Sequence, residues 1–351
     1  LDSAGGQIDF LSALTGTTAD TETLTLTAGA GAINFDAAVG ATALGAAQIV
    51  TAGNVGIDST FDAASFTQTA GTGTTTIGAG GGLTATTGDV SIAANVIDVN
   101  AGITATAGTG AVTLDAETGA LTIAAAGDIS SAGAVGLTGA TGISTAGDVT
   151  TTGDNISFNS ATTLTGDVLL DTGAGAGTVT FANTLGGAQS LGITAGTGAI
   201  DFDNTVGAGT ALGAVTLTSA GNVTADNTFT AASLTQSAGT GTTTFSNTLT
   251  AMTGDISVTT DSIALDGNIV ATAGTGAVTL NADNGNSSGL GLVIDAAGDI
   301  DADGLVDLTA ATGISTAGDI TTTADAITFN SATTLTGNVA LDSAGGQIDF
   351  L

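Results

Sequence analysis

The chain alternates apolar and polar residues over short stretches that are separated by turn-forming residues. Residues 23–27 read Thr-Leu-Thr-Leu-Thr, residues 111–114 read Ala-Val-Thr-Leu, and residues 154–158 read Asp-Asn-Ile-Ser-Phe. A period of two places alternate side chains on opposite faces of a β-strand, and Thr, Val, Ile and Phe favour strands. No apolar stripe with a helical period continues for ten residues. The pattern predicts an all-β fold, with Thr facing outward and Leu, Val, Ile or Phe facing inward.

The sequence also repeats itself at two lengths. Residues 1–11 recur unchanged as residues 341–351, which defines a period of 340 residues. Inside it, the segment that starts at Gly142 matches the segment that starts at Gly313, an offset of 171 residues. Small changes of offset between repeats are expected at turns. The predicted organisation is one continuous solenoid over 1–351, with one period over 1–340, two similar halves over about 1–171 and 172–340, and the start of the next period over 341–351.

A shorter period is marked by the tripeptide Gly-Asp/Asn-Val/Ile. Ten of its copies are separated by 35, 39, 20, 19, 55, 33, 44, 20 and 19 residues, which fits multiples of about 19 residues. A unit this short buries an apolar face only when the next unit stacks on it. We therefore predict a parallel β-helix (β-solenoid) with about 18 coils of ~19 residues per period. These ten copies begin at Gly53, Gly88, Gly127, Gly147, Gly166, Gly221, Gly254, Gly298, Gly318 and Gly337, and an eleventh at Gly267 divides the interval of 44 residues.

Aromatic residues follow the same repeats. The chain has 11 Phe, and Phe35 corresponds to Phe202 as Phe158 corresponds to Phe329 in the two halves. We expect these rings to stack inside the coils.

The composition excludes most kinds of chemistry. The 351 residues include 32 acidic ones but no Lys, Arg, His, Cys, Trp or Tyr. The chain therefore lacks thiol and imidazole groups, which are the usual zinc ligands, and it lacks the cations that hold phosphate. A net charge of −32 repels nucleic acid and anionic lipid surfaces, and no apolar run approaches the ~18 residues of a membrane helix. We expect no enzyme activity, no nucleic-acid partner and no membrane insertion.

The Asp or Asn of the marker tripeptide is the first candidate site. In stacked coils these residues form an acidic edge ladder with neighbours ~4.8 Å apart, where like charges repel by about 1 kcal/mol even in water. Only solvent cations can neutralise them, so calcium along the edge is one interpretation. The other is that Asp and Asn bond to the backbone at a corner. The candidate ligands of this ladder are Asp128, Asp148, Asp167 and Asp319.

The sharpest single motif consists of Asp299, Asp301 and Asp303 before Gly304, followed by Asp307. The order D-x-D-x-D-G begins an oxygen-ligand calcium loop, in which carboxylates converge at a sharp turn. The Glu that completes an EF-hand is missing from the twelfth position. In a strand, the same alternation places the carboxylates on the solvent face, and both interpretations stay open. Ca²⁺ is the only cofactor that the sequence implies.

Asp201 and Asp203, on either side of Phe202, form a weaker version of the calcium motif. Carboxylate pairs also raise glycoside hydrolysis as a function. That chemistry needs groups that hold the sugar and one carboxyl with a raised pKa. The chain has no Arg, Lys, His, Trp or Tyr to hold a sugar ring, and its acidic residues are not concentrated in one stretch. We therefore expect no catalytic residues.

Tandem coils of ~19 residues that are rich in Gly, Ala and Thr resemble the shaft of filamentous-haemagglutinin-type exoproteins and related giant bacterial surface adhesins. The resemblance covers the whole chain in periodicity and composition. It implies a right-handed parallel β-helix at the surface of, or secreted by, a bacterium or another prokaryote.

Two functions follow as expectations. The first is a structural extracellular fibre segment of a very long tandem-repeat protein that forms a surface filament, sheath or matrix. The alternative is the rigid stalk of an adhesin whose binding head lies outside this segment. In both, the expected partners are further copies of the repeat, by lateral or end-to-end assembly, together with divalent cations.

Overall fold

The structure is a computed structural model that describes residues 1–285 and 290–351. The described residues form 42 short strands and no helix, so none of their segments is a helix that could cross a membrane. The chain divides into two compact units, Leu1–Gly173 and Ala174–Leu351. Each unit by itself is a β-solenoid in which parallel strands stack coil upon coil, so the predicted fold class is confirmed.

In the first unit each coil contributes strands to three columns. The first column contains β1 (Ile8–Phe10), β3 (Ile33–Phe35), β5 (Val55–Ile57), β7 (Thr74–Ile77), β10 (Val96–Val99), β13 (Leu121–Ile123), β16 (Ile143–Thr145) and β19 (Thr162–Leu164). The second contains β8 (Gly82–Ala85), β11 (Ile103–Ala105), β14 (Ile129–Ser131), β17 (Val149–Thr150) and β20 (Val168–Asp171). The third contains β2 (Leu24–Thr27), β9 (Val90–Ala94), β12 (Val112–Ala116), β15 (Val135–Gly139) and β18 (Ile156–Phe158), while the long strands β4 (Val39–Thr51) and β6 (Thr60–Gln68) run through the second and third columns.

The second unit repeats this arrangement. Its first column contains β21 (Val179–Phe181), β24 (Ile200–Phe202), β26 (Val223–Ala225), β28 (Thr242–Phe245), β31 (Ser262–Leu265), β34 (Gly291–Ile294), β37 (Ile314–Thr316) and β40 (Thr333–Leu335). The second contains β22 (Leu185–Gly186), β29 (Leu249–Ala251), β32 (Ile269–Ala271), β35 (Ile300–Ala302), β38 (Ile320–Thr322) and β41 (Leu341–Asp342). The third contains β23 (Leu191–Thr194), β25 (Leu212–Ser219), β30 (Ile256–Thr259), β33 (Val278–Ala282), β36 (Val306–Ala310), β39 (Ile327–Phe329) and β42 (Ile348–Phe350), and β27 (Phe229–Gln236) spans the second and third.

The predicted coil length of about 19 residues is wrong, because the coils are longer. Register partners in the first column lead from Ile8 to Thr162 in seven steps, which is 154 residues or 22 per coil. The second unit gives the same mean from Val179 to Thr333. The structure therefore has about 15 turns rather than 18.

The marker tripeptide misled the count because it does not identify a single corner. It precedes a first-column strand at Gly53, a third-column strand at Gly88 and a second-column strand at Gly127. Spacings of 35 and 39 residues between these copies therefore include a change of column and are not whole numbers of coils. Corners of all three columns need a residue that turns the chain and an acceptor for the backbone, so they share one sequence.

Apolar side chains fill the inside of each coil. Strand after strand has a buried, half-buried, buried pattern, as in β3 and β24. The rings of Phe35 and Phe61 lie 4.9 Å apart in the first unit, and those of Phe181 and Phe202 lie 5.6 Å apart in the second. Phe158 and Phe329 are each 1% exposed, so the prediction that Phe rings lie inside the coils is confirmed.

The expectation that Thr faces outward fails in several strands of the first column. Thr75, Thr145 and Thr243 are fully buried, and each hydroxyl donates a hydrogen bond that removes the cost of burying it. Thr145 donates to the backbone oxygen of Gly147 at 3.3 Å, and Thr75 donates to a Gln side chain at 2.8 Å. Thr occupies an inward position where a nearby oxygen satisfies its hydroxyl.

Candidate functional site

The acidic edge ladder forms along the second column of the first unit. The backbone N–H of Asp148 donates to Oδ1 of Asp128 at 2.9 Å, and the N–H of Leu169 donates to Oδ1 of Asp148 at 2.8 Å. Asp167 lies immediately before β20 in the same column and is exposed. The predicted stacking is therefore present for Asp128 and Asp148, whose carboxylates bond to the backbone of the next coil. It is wrong for Asp167, because Val149 pairs with Leu170 and so Leu169, not Asp167, lies beside Asp148.

The second unit has the same ladder before β35 and β38. The N–H of Asp299 donates to Oδ1 of Asn268 at 3.2 Å, that of Asp319 donates to Oδ1 of Asp299 at 2.8 Å, and that of Ala340 donates to Oδ1 of Asp319 at 2.7 Å. Each corner thus ties one coil to the next through a side-chain oxygen. An N–H···O⁻ bond of this kind is stronger than one between neutral groups.

The ladder needs an oxygen acceptor rather than a charge, since Asn fills the position as well as Asp. This supports the interpretation that the marker residue binds the backbone at a corner. Calcium along the edge stays a proposal. In these carboxylates one oxygen already accepts a backbone hydrogen bond. The same bond forms from Thr74 to Asn54, from Ala111 to Asp89, from Thr242 to Asn222 and from Ala277 to Asp255, each at 2.9 Å.

The D-x-D-x-D-G motif lies along a strand rather than in a closed loop. Asp299, Asp301 and Asp303 are half-buried on the outer side of β35 and its flanks, and Asp307 lies on β36 beyond the corner at Gly304. Asp299 accepts the backbone N–H of the next coil. The motif therefore places its first three carboxylates on one strand and its fourth on the next.

Asp307 has a separate partner, because Nδ2 of Asn330 donates to its Oδ1 one coil further on. Within 1–285 and 290–351, no group of three or more Asp or Glu is placed so that it could hold a metal ion together. Calcium binding by Asp299, Asp301, Asp303 and Asp307 stays a prediction that rests on the sequence.

Two carboxylates have perturbed protonation. Burial raises the pKa of Asp201, with smaller contributions from the charges of Asp203 and Asp226. The pKa of Glu22 is lowered from 4.5 to about 2, first by the hydrogen bond from the hydroxyl of Thr17 and then by the backbone N–H of Thr18. The three acidic residues Asp201, Asp203 and Asp226 come close together at the first column. The alternation of Asp and Phe in the sequence suggests this proximity but does not establish it.

Sequence reasoning missed a buried polar pair that occurs once in each unit. Gln68 is 1% exposed and its Oε1 accepts from Thr75 at 2.8 Å, and Gln236 and Thr243 repeat this contact at the same distance. In both Gln residues the buried Nε2 has no hydrogen-bond partner among the described residues. The signal was present as the repeated segments around Ser65 and Ser233, but a polar residue among Thr residues resembles an outward position.

The fold and these corners define a β-solenoid protein in which several Asp side chains accept backbone hydrogen bonds from the next coil. No family model, no curated protein and no solved structure matches the chain.

Proposed function

We propose that this chain is a structural segment of an extracellular prokaryotic fibre, built from tandem copies of the period and without catalytic activity. The observation that supports this most is the corner ladder, in which conspicuous acidic side chains such as Asp148 and Asp319 hold one coil to the next. Polar groups that could serve a ligand serve the stacking instead. Side chains that hold coils together in this way suit a protein that forms a long fibre.

The coils support the same proposal. Backbone hydrogen bonds run from each strand to its neighbours along the column, and stacking of identical units lets such a core continue for any number of coils. Thr and Ser occupy the outer positions of strands such as β7 and β16, which gives these faces polar groups that water can reach. A filament, sheath or matrix built from this material would be stiff along its axis and soluble at its sides.

Immunogold electron microscopy of the producing cells tests the proposal, using an antibody against the 340-residue period. Dense and continuous labelling of filaments or of a sheath is the expected result. Sparse labelling of single rods, concentrated where cells touch a surface or one another, would instead assign the chain to an adhesin stalk. Labelling confined to the cytoplasm would overturn both.

We further propose that divalent cations, calcium in particular, neutralise the charge of −32. Cations that bind the folded state stabilise it by an amount that grows with the logarithm of their concentration once it exceeds the dissociation constant, whereas screening by salt depends only on ionic strength. Millimolar CaCl₂ should therefore raise the melting temperature more than NaCl of equal ionic strength. Equal effects of the two salts would reduce calcium to a general counterion, and the fibre proposal would be unaffected.

A further inference from the structure

The 11 residues that occur twice fold in the same way at both places. In the first copy Ser3 donates through its hydroxyl to the oxygen of Gly6 at 2.5 Å, and in the second Ser343 donates to Gly346 at 2.7 Å. The turn between them also agrees, since Ala4 and Ala344 have φ angles of 51° and 48°. The segment therefore carries its own local structure, independent of the strands beside it.

The two copies differ in which of their sides is paired. Ile8 of β1 pairs with Ile33 of β3, the strand that follows it in the column. The identical residue Ile348 of β42 pairs with Ile327 of β39, the strand that precedes it. One copy thus shows the segment with its following neighbour, and the other shows it with its preceding neighbour.

The backbone groups used in the two pairings do not overlap. In the first copy the N–H of Ile8 donates to Ala32 at 2.9 Å. In the second, the oxygen of Gln347 accepts from Ile327 and the N–H of Leu351 donates to Phe329, both at 2.9 Å. A strand in the middle of a parallel ladder uses one set of groups on each side. The segment can therefore be paired on both sides at once.

Apolar contacts agree with this. Phe10 stacks on Phe35 with ring centroids 4.8 Å apart, and Phe350, its identical counterpart, stacks on Phe329 at 4.6 Å. Phe350 is nevertheless 59% exposed, because only one of its faces is covered. A ring covered on both faces would continue the aromatic stack from one period into the next.

Building on the fibre proposed above, we infer that residues 341–351 are a seam strand on which a further copy of the period stacks, and that the first column of the further copy lies in line with the third column of the second unit. The last strand, β42, lies in the third column of the second unit. The identical residues at the start of the chain, β1, form the first strand of a first column. Across a seam, the first column of the new copy therefore continues the third column of the old one.

A second strand gives the same step independently. Asp342 pairs with Thr321 of β38, which is in the second column. The identical Asp2 bridges to Thr27 of β2, which is in the third column. The second column of the old copy continues as the third column of the new one, and the third continues as the first. Both strands therefore require the same displacement by one side of the coil. Equivalent outer side chains then face different directions before and after a seam, and a lateral partner meets them on successive sides of the fibre.

A chain of two periods, residues 1–340 followed directly by 1–351, tests this inference. The protein has no Cys, so one Cys is introduced in each period, T328C in the first and N34C in the second. The inferred seam places these outward positions two strand spacings apart, about 9.6 Å. A bismaleimide of similar reach should link them rapidly within one molecule, as located by mass spectrometry after cleavage at Asp.

The matched control is T334C in the first period with N34C in the second. Thr334 lies in the first column, and it would be the residue two spacings from Asn34 if the columns continued without a step. We expect the 328/34 pair to link at least tenfold faster than the 334/34 pair. Equal rates, a faster 334/34 link, or no link by either pair in chains that keep their β-sheet circular dichroism would overturn the seam. Cell labelling decides the fibre function separately, so the two failures are distinguishable.

Discussion

The two units have the same columns but fill one inner corner differently. In the first unit Ile57 pairs with Ile77 in the next coil, and in the second unit the equivalent pair is Ala225 and Phe245. All four side chains are at most 2% exposed. Two medium side chains in one unit thus correspond to a small and a large one in the other.

This difference indicates that packing is matched between neighbouring coils rather than position by position. An inner position can hold a smaller side chain where the residue stacked on it has a larger one, because close packing constrains the total filled volume and not each side chain. The alternating strand pattern in the sequence is therefore kept while the identity of the core residues drifts between halves.

The largest effect is expected from breaking this match. Ile57→Ala should lower the free energy of unfolding by about 2–5 kcal/mol, the usual cost of a large-to-small change in a core. The double variant Ile57→Ala/Ile77→Phe recreates the pair of the second unit and should recover at least about 1 kcal/mol of that loss. Urea titration followed by circular dichroism measures both.

The control is the reverse exchange, Ala225→Ile with Phe245→Ile, which should be tolerated better than Ala225→Ile alone. A double variant in the first unit that is less stable than Ile57→Ala would contradict matching between coils.

A smaller effect is expected at the buried contact that the units share. Thr75→Val removes the hydroxyl that bonds to Gln68 and leaves a second buried polar atom without a partner, at a cost of about 1–3 kcal/mol. Gln68→Leu with Thr75→Val should restore stability, since neither polar group then remains. Thermal unfolding of the single and double variants tests this, and the same changes at Gln236 and Thr243 should agree.

If the double variant is no more stable than Thr75→Val alone, the pair would have a role beyond satisfying its own polar groups. A shift of register or a loss of cooperativity in that variant would identify the role.

A still smaller effect is expected at Asp201, where the first unit has Asn34. Burial raises the pKa of Asp201, so the folded state favours the protonated form and the ionised carboxylate destabilises it at neutral pH. Asp201→Asn should therefore raise stability at pH 7 by less than about 1 kcal/mol, given the partial exposure. The gain should shrink as pH falls through the raised pKa, because wild-type Asp201 then becomes neutral.

Chemical denaturation at pH 7 and pH 3 gives this comparison, with Asn34→Asp as its mirror in the first unit. A gain for Asp201→Asn that is the same at both pH values would indicate that charge is not its cause.

The smallest effect concerns Glu22. The hydroxyl of Thr17 and the N–H of Thr18 hold its pKa at about 2, so its contribution is complete above the ordinary pKa of 4.5 and is lost as pH falls through about 2. In Glu22→Gln the amide resonance of Thr18 should no longer titrate in that range. An NMR titration that places the midpoint near 4.5 in the wild type would show that these hydrogen bonds do not form in solution.

Much of the fold follows from the sequence because strands such as β3 and β24 have clear two-residue alternation. The number of coils does not, because Gly53 and Gly88 begin the same tripeptide before strands of different columns. Local chemistry specifies that the chain turns at a corner, but it does not specify which corner.

The candidate site was predictable to the same degree. Stacking of Asp128 with Asp148 follows once the coils are in register, whereas the choice between a cation and a backbone N–H as the partner of the carboxylate needs coordinates. For Asp299, Asp301 and Asp303 the alternation is identical in a calcium loop and in a strand, so spacing alone could not separate them.

The corner ladder also bears on how this material ages. Asn is among the chemically least durable residues, and its slow hydrolysis to Asp usually introduces a charge that the surrounding structure was not built to accept. At Asn54 and Asn222 the product is the residue that already performs the same bond at Asp89 and Asp255. Hydrolysis there exchanges one side-chain acceptor for another that makes the same bond, so the coils stay joined at these corners as the amides are lost.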